Sequence, residues 1–193
     1  MTTKVGIEGT NLTASQLVEF FRLAALPDSH INRVTVQAFI ERRNPFESVV
    51  AGLPLPEGTV TRRVKVDRTR TPQEVVDATG RVQYLNKEVL ATMPQGEGDE
   101  VDVYFVPTKR FVSASEVSAF LAQYGLVPDP RAQTAVNEAD PSFADDHPNG
   151  SQWGDNCYLT FLRWDVERHV RCYRYDYDWL DYWFLSGVPT PRK

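Results

Sequence analysis

Apolar residues recur at helical spacing in the first part of the chain. Residues 13–16 (Thr-Ala-Ser-Gln) form a capping box. Four apolar positions at helical spacing follow it: Leu17, Phe20, Phe21 and Ala24. Pro27 ends this predicted helix, and a second short helix is predicted around residues 34–41. We therefore expect a small helical module over residues 1–45 and a larger domain over residues 46–193.

The middle of the chain mixes strand and helix patterns. Three valines, Val60, Val64 and Val66, lie on one side of an alternating stretch, with Arg62 as the exception on that side, which predicts a half-buried strand. Residues 101–106 predict a second strand. Three helix starts carry cap residues, at Thr71, Ser113 and Asp129. Gly80 and Gly125 are expected to stop the first two of these helices.

Turn and strand patterns dominate from Pro148 onward. Asn149-Gly150 is a tight-turn dipeptide, residues 154–156 predict another turn, and residues 157–161 predict an apolar strand. In an extended chain, the odd positions that follow share one face: His169, Arg171, Tyr173, Tyr175 and Tyr177. Such a face suits contact better than core packing, because tyrosine offers a large area, few rotatable bonds and a hydroxyl.

Aromatic residues are concentrated in the same part of the chain. Of the 22 aromatic residues, 11 lie between Trp153 and Phe184, including all four tryptophans, which marks this segment as a contact region. The chain is 41% apolar, as expected of a soluble globular protein. It has no run approaching the ~18 apolar residues of a membrane-spanning helix. Its N-terminus also lacks the features of a signal peptide, so a cytoplasmic location and no membrane partner are expected.

Charge and cysteine content exclude further classes. A formal charge of -5 argues against sequence-independent binding of nucleic acid, which is driven by Lys and Arg neutralising phosphates. The two cysteines, Cys157 and Cys172, are too few for the disulfide framework of a small secreted domain. They are free thiols or form one bridge.

A series of spaced residues near the C-terminus supports a family resemblance. They are Trp153-Gly-Asp155, Cys157-Tyr158, Phe161, Arg163-Trp164, Glu167-Arg168, Asp178-Trp179, Asp181, Trp183 and Gly187-Val188. The stretch resembles the C-terminal end of variable proteins from diversity-generating retroelements. The resemblance implies an α+β chain with a C-type-lectin-like domain, a variable region at about 157–188 and a hypervariable ligand-binding surface. In that family a reverse transcriptase copies a template repeat with errors at adenines.

The resemblance also implies which positions vary and bind ligand. They are Leu162, Asp165, Val166, His169, Arg171, Tyr173, Tyr175, Tyr177, Leu180 and Tyr182. Each of these residues has a codon that can be reached from AAC or AAT, the asparagine codons, by changing adenines alone. Cys172 fits the same rule. No Lys, Gln, Met or Trp stands at any of the ten positions.

The remaining large aromatics of the stretch are expected to be fixed framework, because such side chains bury the most area. They are Trp153, Phe161, Trp164, Trp179 and Trp183. Four charged residues are expected to hold loops by pairing with one another or with the backbone: Arg163, Glu167, Arg168 and Asp181. The sequence thus predicts a binding protein with no catalysis, metal or cofactor, whose partner is a protein or another macromolecule. The helical module would dock a partner, self-associate or cap the main domain.

Other interpretations stay open at this stage. One is a small hydrolase in which His169 works with Asp165 or Glu167 as acid and base, although no nucleophile motif is present. Another is a structural globular protein with a fixed binding site, in which the aromatic run is an ordinary core strand. A metal site would combine the cysteines and two histidines, Cys157, Cys172, His147 and His169, but their spacing matches no zinc motif.

Two charged clusters also have alternative interpretations. The acidic residues Glu138, Asp140, Asp145 and Asp146 would suit calcium or hydrolysis, but turn and cap roles explain them as well. The basic residues Arg62, Arg63, Lys65, Arg68 and Arg70 would form a patch, but a solvated strand face is the simpler expectation. We expect the simpler role in both cases.

Overall fold

The computed structural model describes residues 53–154, 156–174 and 178–191, together with the backbone of two short strands near the N-terminus. The chain divides into two compact units, Met1–Gly52 and Leu53–Lys193. Nearly all the described residues belong to the second unit, which also contains the segment with the family resemblance.

The first unit contains an antiparallel strand pair, β1 (Val5–Ile7) and β2 (Thr10–Leu12). The sequence pattern predicted only helices in residues 1–45. The two helices predicted there, beginning after Thr13 and around residues 34–41, lie outside the described residues.

Five elements lie between residues 60 and 107: β3 (Val60–Lys65), α1 (Pro72–Asp77), β4 (Val82–Leu85), α2 (Lys87–Ala91) and β5 (Glu100–Pro107). The predicted helix start at Thr71 is confirmed, since Thr71 and Glu74 form a full capping box with Pro72 in the first turn. Gly80 follows with a φ of 63°, a left-handed conformation that favours glycine. β4 and α2 were not predicted.

The second half of the unit begins with a 3₁₀ turn and alternates helices with strands. Its elements are the turn Ala114–Glu116, α3 (Val117–Ala122), β6 (Leu126–Val127), α4 (Pro130–Ala139), α5 (Phe143–Asp146), β7 (Asn149–Trp153), β8 (Cys157–Trp164), β9 (Glu167–Arg174) and β10 (Phe184–Pro189). Asp129 caps α4 as predicted, because its carboxylate accepts a hydrogen bond from the Ala132 amide.

Strands β3 to β10 form one mixed sheet. Its order is β3-β5-β10-β7-β8-β9-β4, and β6 pairs with β10 beside this path. The β7–β10 and β4–β9 pairs are parallel, and the other pairs are antiparallel. The domain is therefore mixed, with a large sheet and a few helices, in agreement with the predicted α+β class.

The prediction of a tight turn at Asn149-Gly150 is wrong, because both residues begin the buried strand β7. The Asn149 side chain instead binds α4, because its carboxamide oxygen accepts hydrogen bonds from Gln133 and Asn137 at 2.8 and 3.1 Å. A side chain would not fit at Gly150, because the Trp179 ring occupies the space where a Cβ would lie. The dipeptide is thus explained by packing and not by turn conformation.

Hydrophobic residues pack on both sides of the sheet. On one side Tyr158 and Leu162 join a cluster with Trp179, Trp183 and Leu121. Because side chains alternate along a strand, the odd positions of β8 point the other way. There, three of them, Cys157, Leu159 and Phe161, join a second cluster that also contains Val76 of α1 and Leu90 of α2. Strand β8, which carries Leu162 and Trp164, therefore runs between two cores.

Most of the basic residues of β3 and the following loop are paired or stacked, so they do not form a basic patch. Arg63 pairs with Glu100 at 3.1 Å, and Arg70 pairs with Glu138 at 2.9 Å. Arg62 lies over the Phe143 ring at 5.1 Å. Arg68 is nearly buried and makes the closest pair of the set, 2.7 Å from Asp129. The expected solvated strand face is therefore confirmed for Arg62, Arg63 and Lys65, which are exposed, but it is wrong for the nearly buried Arg68.

Members of the acidic cluster likewise have local roles. Asp140 accepts hydrogen bonds from the backbone amide and the hydroxyl of Ser142, as in an ordinary turn. Asp145 receives a bidentate hydrogen bond from Arg168, and this bond lowers the pKa of the carboxyl below its usual value. The described residues contain no group of three or more His, Cys, Asp or Glu that would hold a metal ion.

No helix among the described residues is both long enough and apolar enough to cross a membrane.

Candidate functional site

The ten predicted ligand-binding positions differ in exposure. Six have exposed or half-exposed side chains: Asp165, Val166, Arg171, Tyr173, Leu180 and Tyr182. Leu162 and His169 are instead buried, with 8% and 5% of their surface exposed. Tyr175 and Tyr177 lie outside the described residues. The surface therefore carries most of the predicted positions that the structure describes.

Strand register determines which side chains share a face. Leu162 of β8 lies opposite His169 of β9, and Tyr84 of β4 lies opposite Arg171. Register partners point to the same side of a sheet, and positions two apart on one strand do so as well. Four side chains therefore emerge on one side: Tyr84, Trp164, His169 and Arg171.

Two aromatic rings hold the Arg171 guanidinium. Its Cζ atom lies 6.0 Å from the centroid of the Tyr84 ring and 5.9 Å from that of Trp164. Both distances are at about the 6 Å limit of cation–π attraction. The Tyr84 ring is also parallel to the His169 imidazole, with centroids 5.3 Å apart. Tyr84 thus helps to cover His169, which accounts in part for the burial of that residue.

We define the aromatic face as the exposed and half-exposed side chains on this side of the sheet edge, namely Val82, Tyr84, Trp164, Val166, Arg171 and Tyr173. Val82 and Val166 belong together because both line one cavity of about 430 Å³. Trp164 was expected to be buried framework, yet 64% of its surface is exposed. The difference arises at the end of β8, where both Arg163 and Trp164 are exposed.

A chain of aromatic contacts leads from this face into the core and out again. The Tyr173 ring lies 6.3 Å from Tyr158, which lies 6.2 Å from Trp179. Trp179 meets Trp183 edge to face at 5.4 Å, and Trp183 stacks on the exposed Tyr182 at 5.9 Å. The two buried tryptophans therefore support exposed positions on both sides, as framework residues should.

A second group of exposed side chains lies next to these tryptophans and consists of Phe111, Leu180 and Tyr182. The backbone here is fixed by two hydrogen bonds between Val112 and Trp179, at 2.8 and 2.9 Å. The Thr108 hydroxyl donates to the Leu180 carbonyl at 2.6 Å. The exposed side chains thus stand beside firmly held neighbours.

The fixed charges use the expected partners only in part, since the backbone contact of Arg163 was expected and the pairing of Arg168 with Asp145 was not. Arg168 binds Asp145 of α5 at 2.7 Å, and Arg163 donates to the Asp165 carbonyl at 3.1 Å. The Glu167 carboxylate lies 3.6 Å from His169 Nε2. Within the described part of the chain, the Arg171 side chain forms no hydrogen bond and no ion pair, and its contacts there are with the two rings.

The geometry brings His169 close to Glu167, one of the two partners in the hydrolase interpretation, but it buries the imidazole. Both ring nitrogens are buried, and neither has a hydrogen-bond partner among the described residues. Asp165 stands in the β8–β9 turn with a φ of 57° and an exposed side chain.

Cys157 and Cys172 are buried thiols and not a disulfide, and burial raises the pKa of the Cys172 thiol to about 12.

We expect the buried and exposed predicted positions to differ in their tolerance of substitution, and two leucines provide a matched test. Leu162→Ala should lower the free energy of unfolding by about 2 kcal/mol, because it leaves a cavity in the core. Leu180→Ala, at a position with 42% exposure, should change it by less than about 0.5 kcal/mol. Urea denaturation measures both. Equal losses would mean that exposure does not separate these positions.

Three members of the aromatic face were not predicted as contact residues: Val82, Tyr84 and Trp164. Tyr84 belongs to the four-residue strand β4, where apolar and polar residues alternate only briefly. Trp164 precedes the Asp165-Val166 turn, and a bulky residue at the end of a strand was the available signal of exposure. The position of Tyr84 beside Arg171 depends on the pairing of β4 with β9, two strands that are far apart in sequence and adjacent in the sheet.

Comparison of the chain with protein-family models, with curated proteins and with solved structures finds no match.

Proposed function

We propose that this protein is a ligand-binding protein that displays a hypervariable surface, diversified by a retroelement, on a C-type-lectin-like scaffold. It performs no catalysis and uses no cofactor. The observation that carries the proposal is the aromatic face, where the half-exposed Arg171 contacts the exposed rings of Tyr84 and Trp164. An isolated exposed aromatic is ordinary, but a contiguous group of them indicates a contact surface.

The composition of the face favours a protein or another macromolecule as the ligand. Trp, Tyr and Arg are the residue types that contribute most to binding at protein interfaces. Tyr and Trp have only two side-chain torsions, so little conformational entropy is lost when they are fixed on binding. The residues lie mainly on strands, which position contact groups more firmly than loops do.

The separation of exposed and buried positions supports diversification. The exposed positions Arg171 and Tyr173 alternate along β9 with Val170 and Cys172, which are completely buried. Substitutions at exposed positions away from special features usually change stability by less than about 0.5 kcal/mol. Recognition can therefore change from copy to copy while the buried framework keeps the fold.

The decisive test is the DNA sequence that flanks the gene. We expect a second near-copy of the segment encoding residues 157–188, beside a gene for a reverse transcriptase. The copy should have adenines wherever the codons of the ten predicted positions differ from it. The codons of Trp164, Trp179 and Trp183 should match the copy and serve as the control.

Absence of such a copy would contradict diversification by a retroelement. So would natural copies of this protein that all keep His169, Tyr173, Tyr175 and Tyr177 unchanged. The aromatic face would then be a fixed binding site or ordinary surface. Substitution of His169 separates the hydrolase alternative, because an enzyme of that kind would lose nearly all activity, whereas a variable binder would only change its ligand preference.

A further inference from the structure

Arg171 differs from the other arginines whose contacts define the fold. Arg63, Arg68, Arg70 and Arg168 each pair with a carboxylate of the chain, at 2.7 to 3.1 Å. Arg171 has no such partner among the described residues, and its contacts there are with two rings. Among the described residues, the Arg171 guanidinium thus has no acceptor, although it lies beside two rings of the aromatic face.

The ring contacts prepare this guanidinium for binding. Free arginine side chains lose considerable rotamer entropy when they are fixed, and Tyr84 and Trp164 restrict Arg171 in advance. Neither ring centre is a conventional hydrogen-bond acceptor, so these contacts leave the N–H groups of the guanidinium available for hydrogen bonding. Those groups form a planar fork that fits the two oxygens of a carboxylate.

The surrounding charges favour a carboxylate over a phosphate. Arg171 is a single positive charge, and the exposed Glu167 lies on the same strand and the same side of the sheet. A phosphate group carries about −1.5 to −2 charges and is usually held by several donors. One guanidinium balances one carboxylate, and the adjacent rings suit the apolar neighbours of an acidic side chain.

We propose that the ligand is a protein that presents an Asp or Glu carboxylate to Arg171, with an apolar or aromatic residue of the ligand against Trp164. This inference rests on the proposed binding function and specifies its partner for this copy of the protein. If Arg171 is one of the diversified positions, other copies with another residue there lose the preference for acidic partners.

The test is selection of a random peptide library on the full chain, followed by titration of resynthesised peptides. We expect the selected peptides to share an Asp or Glu beside an apolar residue. Replacing that acid by Asn or Gln should weaken binding about tenfold or more, because a charge-assisted hydrogen-bonded pair is lost. Replacing it by phosphoserine should not strengthen binding.

Matched variants of the protein complete the experiment. Arg171→Met keeps a long apolar stem against the rings and removes the charge, so it should weaken binding as much as the loss of the peptide carboxylate does. Arg62→Met is the control, because Arg62 is also exposed and stacked on a ring but lies on β3, at the opposite edge of the sheet. It should change binding by less than about twofold. Melting temperatures confirm that both variants fold.

The outcomes separate this inference from the proposed function. Peptides whose binding is lost in Trp164→Ala and Tyr84→Ala, but survives in Arg171→Met, overturn the acidic partner and leave the binding face intact. Tighter binding of the phosphoserine peptide also overturns the carboxylate assignment. A selection that yields no peptide dependent on the aromatic face overturns both proposals.

Discussion

Asp129→Ala is expected to destabilise the protein by about 4 kcal/mol, because it removes one half of a buried ion pair. Arg68 donates two hydrogen bonds to the Asp129 carboxylate, at 2.7 and 2.9 Å, and only 9% and 2% of the two side chains are exposed. The same carboxylate caps α4 through the Ala132 amide. The variant would leave Arg68 buried without its counter-charge and α4 without its cap.

Thermal and urea unfolding of three variants test this expectation. Asp129→Asn retains an acceptor for the Ala132 amide and should lose less stability than Asp129→Ala. The double variant Arg68→Met, Asp129→Ala should recover part of the loss, since no charge then stays buried. Arg63→Ala removes an exposed pair and should change the melting temperature little. A loss in Asp129→Ala no greater than in Arg63→Ala would contradict the argument.

The same ion pair shows why charge alone was a poor guide to this part of the chain. Arg68 appeared in the sequence as one of five basic residues within nine positions. In the structure it also donates to the carbonyls of Gln95, Glu97 and Gly98, and so holds the loop before β5. These partners are about 30 residues away, and their proximity follows from the fold, which local patterns do not specify.

Local signals were reliable wherever a short segment determines its own structure. The cap residues Thr71 and Asp129 begin helices as predicted, because the capping hydrogen bonds are made within three residues. The strand over residues 157–161 is confirmed as part of β8. In contrast, β10 was not predicted although it lies between β5 and β7, since its sequence Phe-Leu-Ser-Gly-Val-Pro has no regular alternation.

The candidate site was predicted to the extent that strand periodicity determines exposure. Alternation correctly separated Arg171 and Tyr173 from the buried Val170 and Cys172. It did not anticipate the burial of His169, because the covering ring belongs to Tyr84 on a strand more than eighty residues earlier. Position along a strand gives the side of the sheet, whereas burial depends on what the neighbouring strand supplies.

The second large effect is expected at Gly150, where Gly150→Ala should destabilise the protein by about 3 kcal/mol. Replacing a glycine in unstrained extended backbone by alanine usually stabilises a protein by about 0.4 to 1 kcal/mol, because alanine lowers the conformational entropy of the unfolded chain. Here the new methyl group would overlap the ring of Trp179, which is completely buried and is held by a 3.1 Å hydrogen bond from Nε1 to Gln152. The sign of the effect therefore distinguishes close packing from simple chain stiffening.

Ser151→Ala is the matched control in the same strand. Ser151 is buried, and its hydroxyl has no partner among the described residues, so loss of the oxygen should cost little. The double variant Gly150→Ala, Trp179→Leu should lose less stability than the sum of the single variants, because the smaller side chain leaves room for the methyl group. If Gly150→Ala stabilises the protein, or if its effect simply adds to that of Trp179→Leu, the Trp179 ring does not pack closely against this glycine. The exposed positions around Trp179, among them Leu180 and Tyr182, would then lack the rigid support that the proposed binding surface requires.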